Sequence, residues 1–281
     1  MISNTLKFKN GEKIGSDPII SELIRSFEFQ RPVQRSLYPK WDLACVLNSL
    51  CKGPYEPMSK ASLLHLTQKT VFLLTLATAG RVSEIHALAM DPEHLRFNES
   101  DGSVSLRTQS GFIAKNQLPS VCSPEILVPN LARSVSDKDF NRMLCPVRAL
   151  KLYLRKTESI RNNRKRLFLP IRGNHDITKG SISGWISSVI RLAYKSISKV
   201  KFSSLRVKPH ELRALSTSWA YVNKVPMDDI VKAAVWSSSS VFARFYLRDL
   251  SKQSCNLSLM GPLVTAQKVV GGPVGQPSQQ C

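Results

Sequence analysis

Residues 66–88 read LTQKTVFLLTLATAGRVSEIHAL. With the preceding PMSKASLLH (57–65), the segment up to Gly80 predicts one long apolar helix. The small residues around Ala79-Gly80 break it, and RVSEIHALAM (81–90) resumes as a second helical segment. The run VFLLTLATAG is too short to span a bilayer and has polar flanks. Arg81 stands directly after the break, with Glu84 three residues on. A charge at a buried helix start is costly without a partner. Taken alone, the segment is explained by an Arg81–Glu84 pair within the helix.

Helical signals dominate on either side. KWDLACVLNSLC (40–51) spaces Leu43, Val46, Leu47 and Leu50 as a helix does. CPVRALKLYLRKTESI carries Pro146 in its first turn, and GSISGWISSVIRLAYKSIS lines up Ile182, Ile186, Val189 and Ile190. KPHELRALSTSWAYVNK opens on Pro209, and PMDDIVKAAVW and SSVFARFYLRDL complete the helical body. Between the helices, SVSLRTQSGFIAK (103–115) alternates around a Ser-Gly turn as a hairpin does, and EILVPN reads as a further strand. The expected fold class is therefore mainly α with a small antiparallel β-sheet (α+β). Near the start, DPIISELIRSF reads as one helix capped by Asp17 with Pro18 first. Trp185 and Trp219 lie on apolar helix faces and read as core, while His65, His86, His94 and His175 read as structural or exposed.

Charge narrows the partner. The 281 residues hold 40 Lys+Arg against 20 Asp+Glu, a net charge of +20, which points to a polyanion, foremost nucleic acid. The cations concentrate at 142–166, with nine Lys/Arg to one acid, and at 191–213, with seven to one. No C-x-x-C pair occurs among six cysteines and no His pair has ligand spacing, so no metal is expected. MISNTLKFKNGEKIGSDPII has no apolar segment of the secretory kind, so the expected setting is soluble and reducing, away from any membrane.

Five short signals remain. HELR sets His210 and Arg213 on one helix face near its N-terminus, a place suited to a phosphate. Arg81 follows the small-residue break. Lys115 closes the hairpin-like segment. In VWSSSSVFARFYLRDL (235–250), Trp236 precedes four serines and Tyr246 stands between Phe245 and Leu247. Each alone has an ordinary explanation. Tyr246 lies at helical spacing from Phe242 and could simply pack.

In order, Arg81, Lys115, His210-x-x-Arg213, Trp236 and Tyr246 resemble the boxes of the tyrosine recombinase (phage-integrase-like) family. LTQKTVFLLTLATAGRVSEIHAL, WSSSSVFARFYLRDL and LMGPLVTAQKVV are similar to the recombinases of DIRS- and Ngaro-type retrotransposons. The resemblance spans about residues 38–270. It implies a tyrosine recombinase catalytic-domain fold and DNA recombination or integration by site-specific cleavage and rejoining. Tyr246 would be the nucleophile that leaves a 3′-phosphotyrosyl link. Arg81 and Arg213 would hold non-bridging oxygens, as bidentate guanidinium groups do. His210 would bind an oxygen or take the tyrosine proton, and Trp236 would donate its indole N–H. Lys115 would protonate the leaving 5′ oxygen, and Glu84 would orient the first box. The resemblance further implies double-stranded DNA as partner, a tetramer on DNA, residence in the nucleus, and no cofactor or metal.

The expected organisation is residues 1–37 as a linker or the remnant of an N-terminal core-binding (SAM-like) domain, 38–260 as the catalytic domain, and 261–281 as a partly disordered C-terminal tail. The interval from Trp236 to Tyr246 is one residue longer than the family's. Two alternatives stay open: a truncated or domesticated DNA-binding protein that kept the fold without strand exchange, and a topoisomerase-like relaxing enzyme with the same cleavage chemistry. RNNRKR (161–166) could serve nuclear import or bind phosphate.

Overall fold

The structure is a computed structural model that describes residues 7–8, 10–11, 13–14, 17–31, 37–114, 125–131, 142–195, 207–234, 236, 238–253 and 267–269. It comprises two compact units that divide between Leu37 and Tyr38. In the first unit, α1 (Pro18–Gln30) begins as its sequence demands. The Asp17 carboxylate accepts the Ile19 and Ile20 N–H groups at 2.8 and 3.1 Å, with proline in the first turn, where no N–H is needed.

The second unit is built on α3 (Leu63–Thr78), which packs against α5 (Pro146–Thr157), α6 (Lys179–Lys195) and α7 (His210–Val222). Before it comes α2 (Leu43–Leu50), which leans on α6. Every residue of α3 from Leu66 to Thr78 is buried, including four threonines, Gln68 and Lys69. Burying polar groups is costly unless they are satisfied. The threonines solve this locally. Thr67, Thr70, Thr75 and Thr78 each donate a hydroxyl to the carbonyl four residues earlier, at 2.7–2.8 Å.

Lys69 needs a distant partner. Its ammonium donates to the Glu56 carboxylate at 2.6 Å and to the Leu50 carbonyl at 2.8 Å. Arg148 of α5 reaches the same carboxylate at 3.1 Å. Burial works to raise the Glu56 carboxyl, but the hydrogen bonds and charges of Lys69 and Arg148 outweigh it and hold the carboxyl below its usual range. For Lys69 burial wins, and its ammonium is pushed down despite Glu56. The trio thus ties α2, α3 and α5 together around one anion.

The sheet follows α4 (Val82–Ala87), as the sequence places it. β1 (Leu95–Phe97), β2 (Val104–Leu106), β3 (Glu125–Val128) and β4 (Gln267–Val269) are antiparallel in spatial order β1-β2-β3-β4. Leu95 pairs with Leu106 and Val104 with Val128, so Val104, Leu106, Ile126 and Val128 bury one face. The Ser-Gly turn is present, with Gly111 at φ 79° and the Phe112 N–H on the Gln109 carbonyl, but it closes no hairpin, since 112–114 are not strand and β2 pairs with β1 and β3. The three-residue β1 carries too little alternation to be seen in sequence. β4 lies within the stretch expected to be tail.

α5 and the turn beyond it alter the reading of the first basic stretch. Arg161 is buried and donates to Thr157 Oγ1 and to the Arg166 and Leu167 carbonyls. Arg164 donates to the Asn174 carbonyl, Arg166 to the His86 carbonyl, and Lys156 to the Ser59 and Ala61 carbonyls. With Arg148, five of the nine cations therefore fasten the fold. In RNNRKR the turn itself is left-handed at Asn162 and Asn163, residues that tolerate this conformation. Trp219 is core as expected. Trp185 differs: it is only half-buried and lines a surface cavity of about 570 Å³ with Leu64 and Gln68, because its helix face turns outward there. No described helix is long and apolar enough to cross a membrane.

Glu56→Ala strands the buried Lys69 charge, and unfolding in urea at neutral pH should show a loss of about 3 kcal/mol. The sign with pH follows from the lowered Glu56 carboxyl. Its stabilisation is present above the ordinary carboxylate range and fades as pH falls through the folded value, so wild type and variant should converge in acid.

Candidate active site

The site begins where α3 stops. Ala79 caps the helix in the left-handed region, φ 46°, and the Gly80 N–H turns back to the Thr75 carbonyl at 3.2 Å. Gly80 has no room for a side chain. A Cβ there would stand 2.7 Å from Thr78 Oγ1 and 3.0 Å from Ile85 Cδ1. This tight passage delivers Arg81 to the N-cap of α4. The Glu84 carboxylate then accepts both the Arg81 backbone N–H and its guanidinium, each at 2.9 Å. The pair expected from spacing exists, and it also closes the helix start as a capping box does.

Arg213 comes to the same place from α7. It is almost wholly buried, 1 % exposed. One terminal nitrogen donates to the Ala79 carbonyl at 2.8 Å and the other to the carbonyl of Ala234, the last residue of α8 (Met227–Ala234). Glu84 Oε2 lies 3.8 Å from its Nη1. Burial pushes the guanidinium down to about 10, with Arg81 adding to the fall, and Glu84 and Tyr246 opposing it. It therefore stays cationic at neutral pH.

Aromatic rings cover this cation. The Arg213 guanidinium carbon lies 5.2 Å from the Trp236 ring centroid and 5.5 Å from that of Tyr246, within the range of cation–π attraction. The Trp236 and Tyr246 centroids are 4.5 Å apart, and the His210 ring stands 5.3 Å from Tyr246. His210, at the first turn of α7, is exposed. Two buried donors here have no partner among the described residues: Trp236 Nε1 and Arg213 Nε.

The segment holding Tyr246 is not the regular helix its spacing suggested. After one turn, α9 (Ser239–Val241), it widens into a π turn over Phe242–Tyr246, closed by the Leu247 N–H on the Phe242 carbonyl at 2.9 Å. Phe242 is the reason. It is buried, with ring centroids 5.7 Å from Trp236 and 5.6 Å from Tyr221. Phe245 remains 44 % exposed, so the apolar packing expected of this segment falls mainly on Phe242. A π turn takes in one residue more than an α turn, which suits the long interval between Trp236 and Tyr246.

The fold thus brings together Arg81 and Glu84 from α4, His210 and Arg213 from α7, Trp236 from the loop before α9, and Tyr246 from the π turn after it. Lys115 lies outside the described residues. Sequence reasoning missed Ser218, whose buried hydroxyl meets the backbone on both sides of Leu247, and the Ala79 and Ala234 carbonyls that seat Arg213. A serine in a helix and two alanine carbonyls carry no sequence signal.

No family model and no curated protein matches this chain. Among solved structures it is similar to the XerH site-specific recombinase bound to a palindromic difH substrate in a post-cleavage complex, with a TM-score of 0.51 at 13 % identity. The match covers 87 % of this chain and 60 % of that one. The fold is therefore that of a tyrosine recombinase catalytic domain, mostly helical with a small antiparallel sheet.

Gly80→Ala forces a methyl against Thr78 and Ile85. Thermal or urea unfolding should show a loss of about 1–3 kcal/mol, as overpacking gives. A change of less than a few tenths would mean that the passage to Arg81 is looser than described.

Proposed function

We propose that the protein cuts and rejoins double-stranded DNA at specific sites through a covalent 3′-phosphotyrosyl intermediate on Tyr246, as tyrosine recombinases do. The observation that carries this reading is a tyrosine ring packed on a buried arginine, beside two buried donors with no partner among the described residues. Unsatisfied buried donors are costly unless something accepts from them. A phosphodiester supplies acceptor oxygens and a phosphorus to attack. The fold shared with a DNA-bound recombinase supports the same class.

In this reading the Tyr246 Oη attacks phosphorus and the bond to the 5′ oxygen breaks. Oη gives up its proton to His210, whose ring centroid lies 5.3 Å from that of Tyr246, and the 5′ oxygen gains one from Lys115. Rejoining reverses each transfer. Arg213 and Arg81 stabilise the charge that grows on the non-bridging oxygens, with Trp236 donating from the side. Glu84 keeps the two guanidinium groups from repelling each other apart. The bond energy is retained in the tyrosyl ester, so religation needs no nucleotide triphosphate. Assembly as a tetramer on DNA, an origin among DIRS- or Ngaro-type elements with a role in integration, and a nuclear setting complete the proposal by resemblance.

A nicked duplex tests it, because loss of the short strand end traps the adduct. Wild-type protein should form a denaturation-resistant protein–DNA species, and Tyr246→Phe should form none while binding DNA equally. Adduct formation by the variant would reject Tyr246. Salt-sensitive binding with no adduct in either would favour a DNA-binding protein that does not cleave.

A further inference from the structure

We infer that Ser218 is a positioning residue that fixes the Tyr246 segment on α7, the helix that also carries His210 and Arg213. This rests on the cleavage reading above. The Ser218 hydroxyl donates to the Tyr246 carbonyl at 3.2 Å and accepts the Arg248 backbone N–H at 2.9 Å. One hydroxyl thus grips the chain on both sides of Leu247, directly after the tyrosine. Ser218 is fully buried, so water does not replace these bonds if the hydroxyl is removed.

The need for such a grip follows from the local backbone. The Leu247 N–H closes the π turn on the Phe242 carbonyl, and the residues that follow are not helical. The Tyr246 carbonyl therefore has no helical partner ahead of it. Ser218 supplies one from the rigid element that bears the phosphate-binding groups. It stands eight residues after His210 and five after Arg213, so nucleophile and arginine share one frame. Nucleophilic attack depends on such alignment to within a fraction of an ångström, and a displacement of about 1 Å can cost roughly a hundredfold in rate.

Ser216 provides a matched control. It is equally buried, two residues away, and its hydroxyl donates to the Leu76 carbonyl at 2.6 Å, tying α7 to α3 and not to the tyrosine. Ser218→Ala and Ser216→Ala each remove one buried hydroxyl and should lose comparable stability. Single-turnover adduct formation on the nicked duplex separates them. Ser218→Ala should slow it by roughly tenfold with unchanged DNA affinity, and Ser216→Ala should stay within about twofold of wild type. A 5′-bridging phosphorothiolate, whose leaving group needs no proton, should leave the Ser218→Ala defect in place, because the fault lies with the nucleophile. Equal slowing in both variants, an unchanged or faster rate in Ser218→Ala, or recovery on the phosphorothiolate would each overturn the inference. Failure of wild type to form an adduct would instead reject the cleavage reading itself.

Discussion

Everything in the candidate site leans on one buried cation. The Arg213 guanidinium donates to the last carbonyls of two helical segments, those of Ala79 and Ala234, and lies near the Glu84 carboxylate. A buried charge is tolerated only with such partners. The consequence is mutual. Arg213 holds the ends of α3 and α8 together, and those ends fix where Trp236 and Arg81 emerge. The aromatic lid of Trp236 and Tyr246 then shields the cation from water, which strengthens its pull on any anion admitted beside it.

The interior of α3 prepares this arrangement. A helix buried on all sides would ordinarily be purely apolar. Here the threonines satisfy themselves on their own backbone, and Lys69 is met by Glu56. The helix can therefore run through the core to the left-handed stop at Ala79 and carry Arg81 out at a defined point. Sheet and basic turn serve the same end from outside: arginines that read as a surface for nucleic acid are partly ties, with Arg161 and Arg166 closing the chain around β-bridge contacts near Leu88.

Much of this was legible in sequence because the signals are local. Helical spacing, Asp17 and Pro18 at a helix start, and the Arg81–Glu84 interval each depend on residues within a turn of one another. Helical and strand patterns foretold the α+β class, and the order of the boxes named the side chains that meet, Lys115 aside, since it lies outside the described residues. What escaped is set by distant partners. Trp185 has the spacing of a core residue, yet the neighbouring elements leave its face half open. SSVFARFYLRDL had the spacing of a helix, yet FARFY forms a π turn, with Phe242 buried between Trp236 and Tyr221. Arg161 and Arg164 could not be told from solvated cations until the carbonyls that receive them were in place. Ser218 acts through backbone atoms 28 and 30 residues away, and no pattern in the chain records that.

The central claim is that Tyr246 becomes covalently joined to a DNA 3′ end. The direct measurement is to digest the trapped adduct with nuclease and trypsin and sequence the modified peptide by mass spectrometry. The account predicts the peptide from Phe245 to Arg248, with a nucleotide attached to Tyr246 through its 3′ phosphate. A nucleotide on another residue, such as Tyr221, or one joined through its 5′ phosphate, would contradict it.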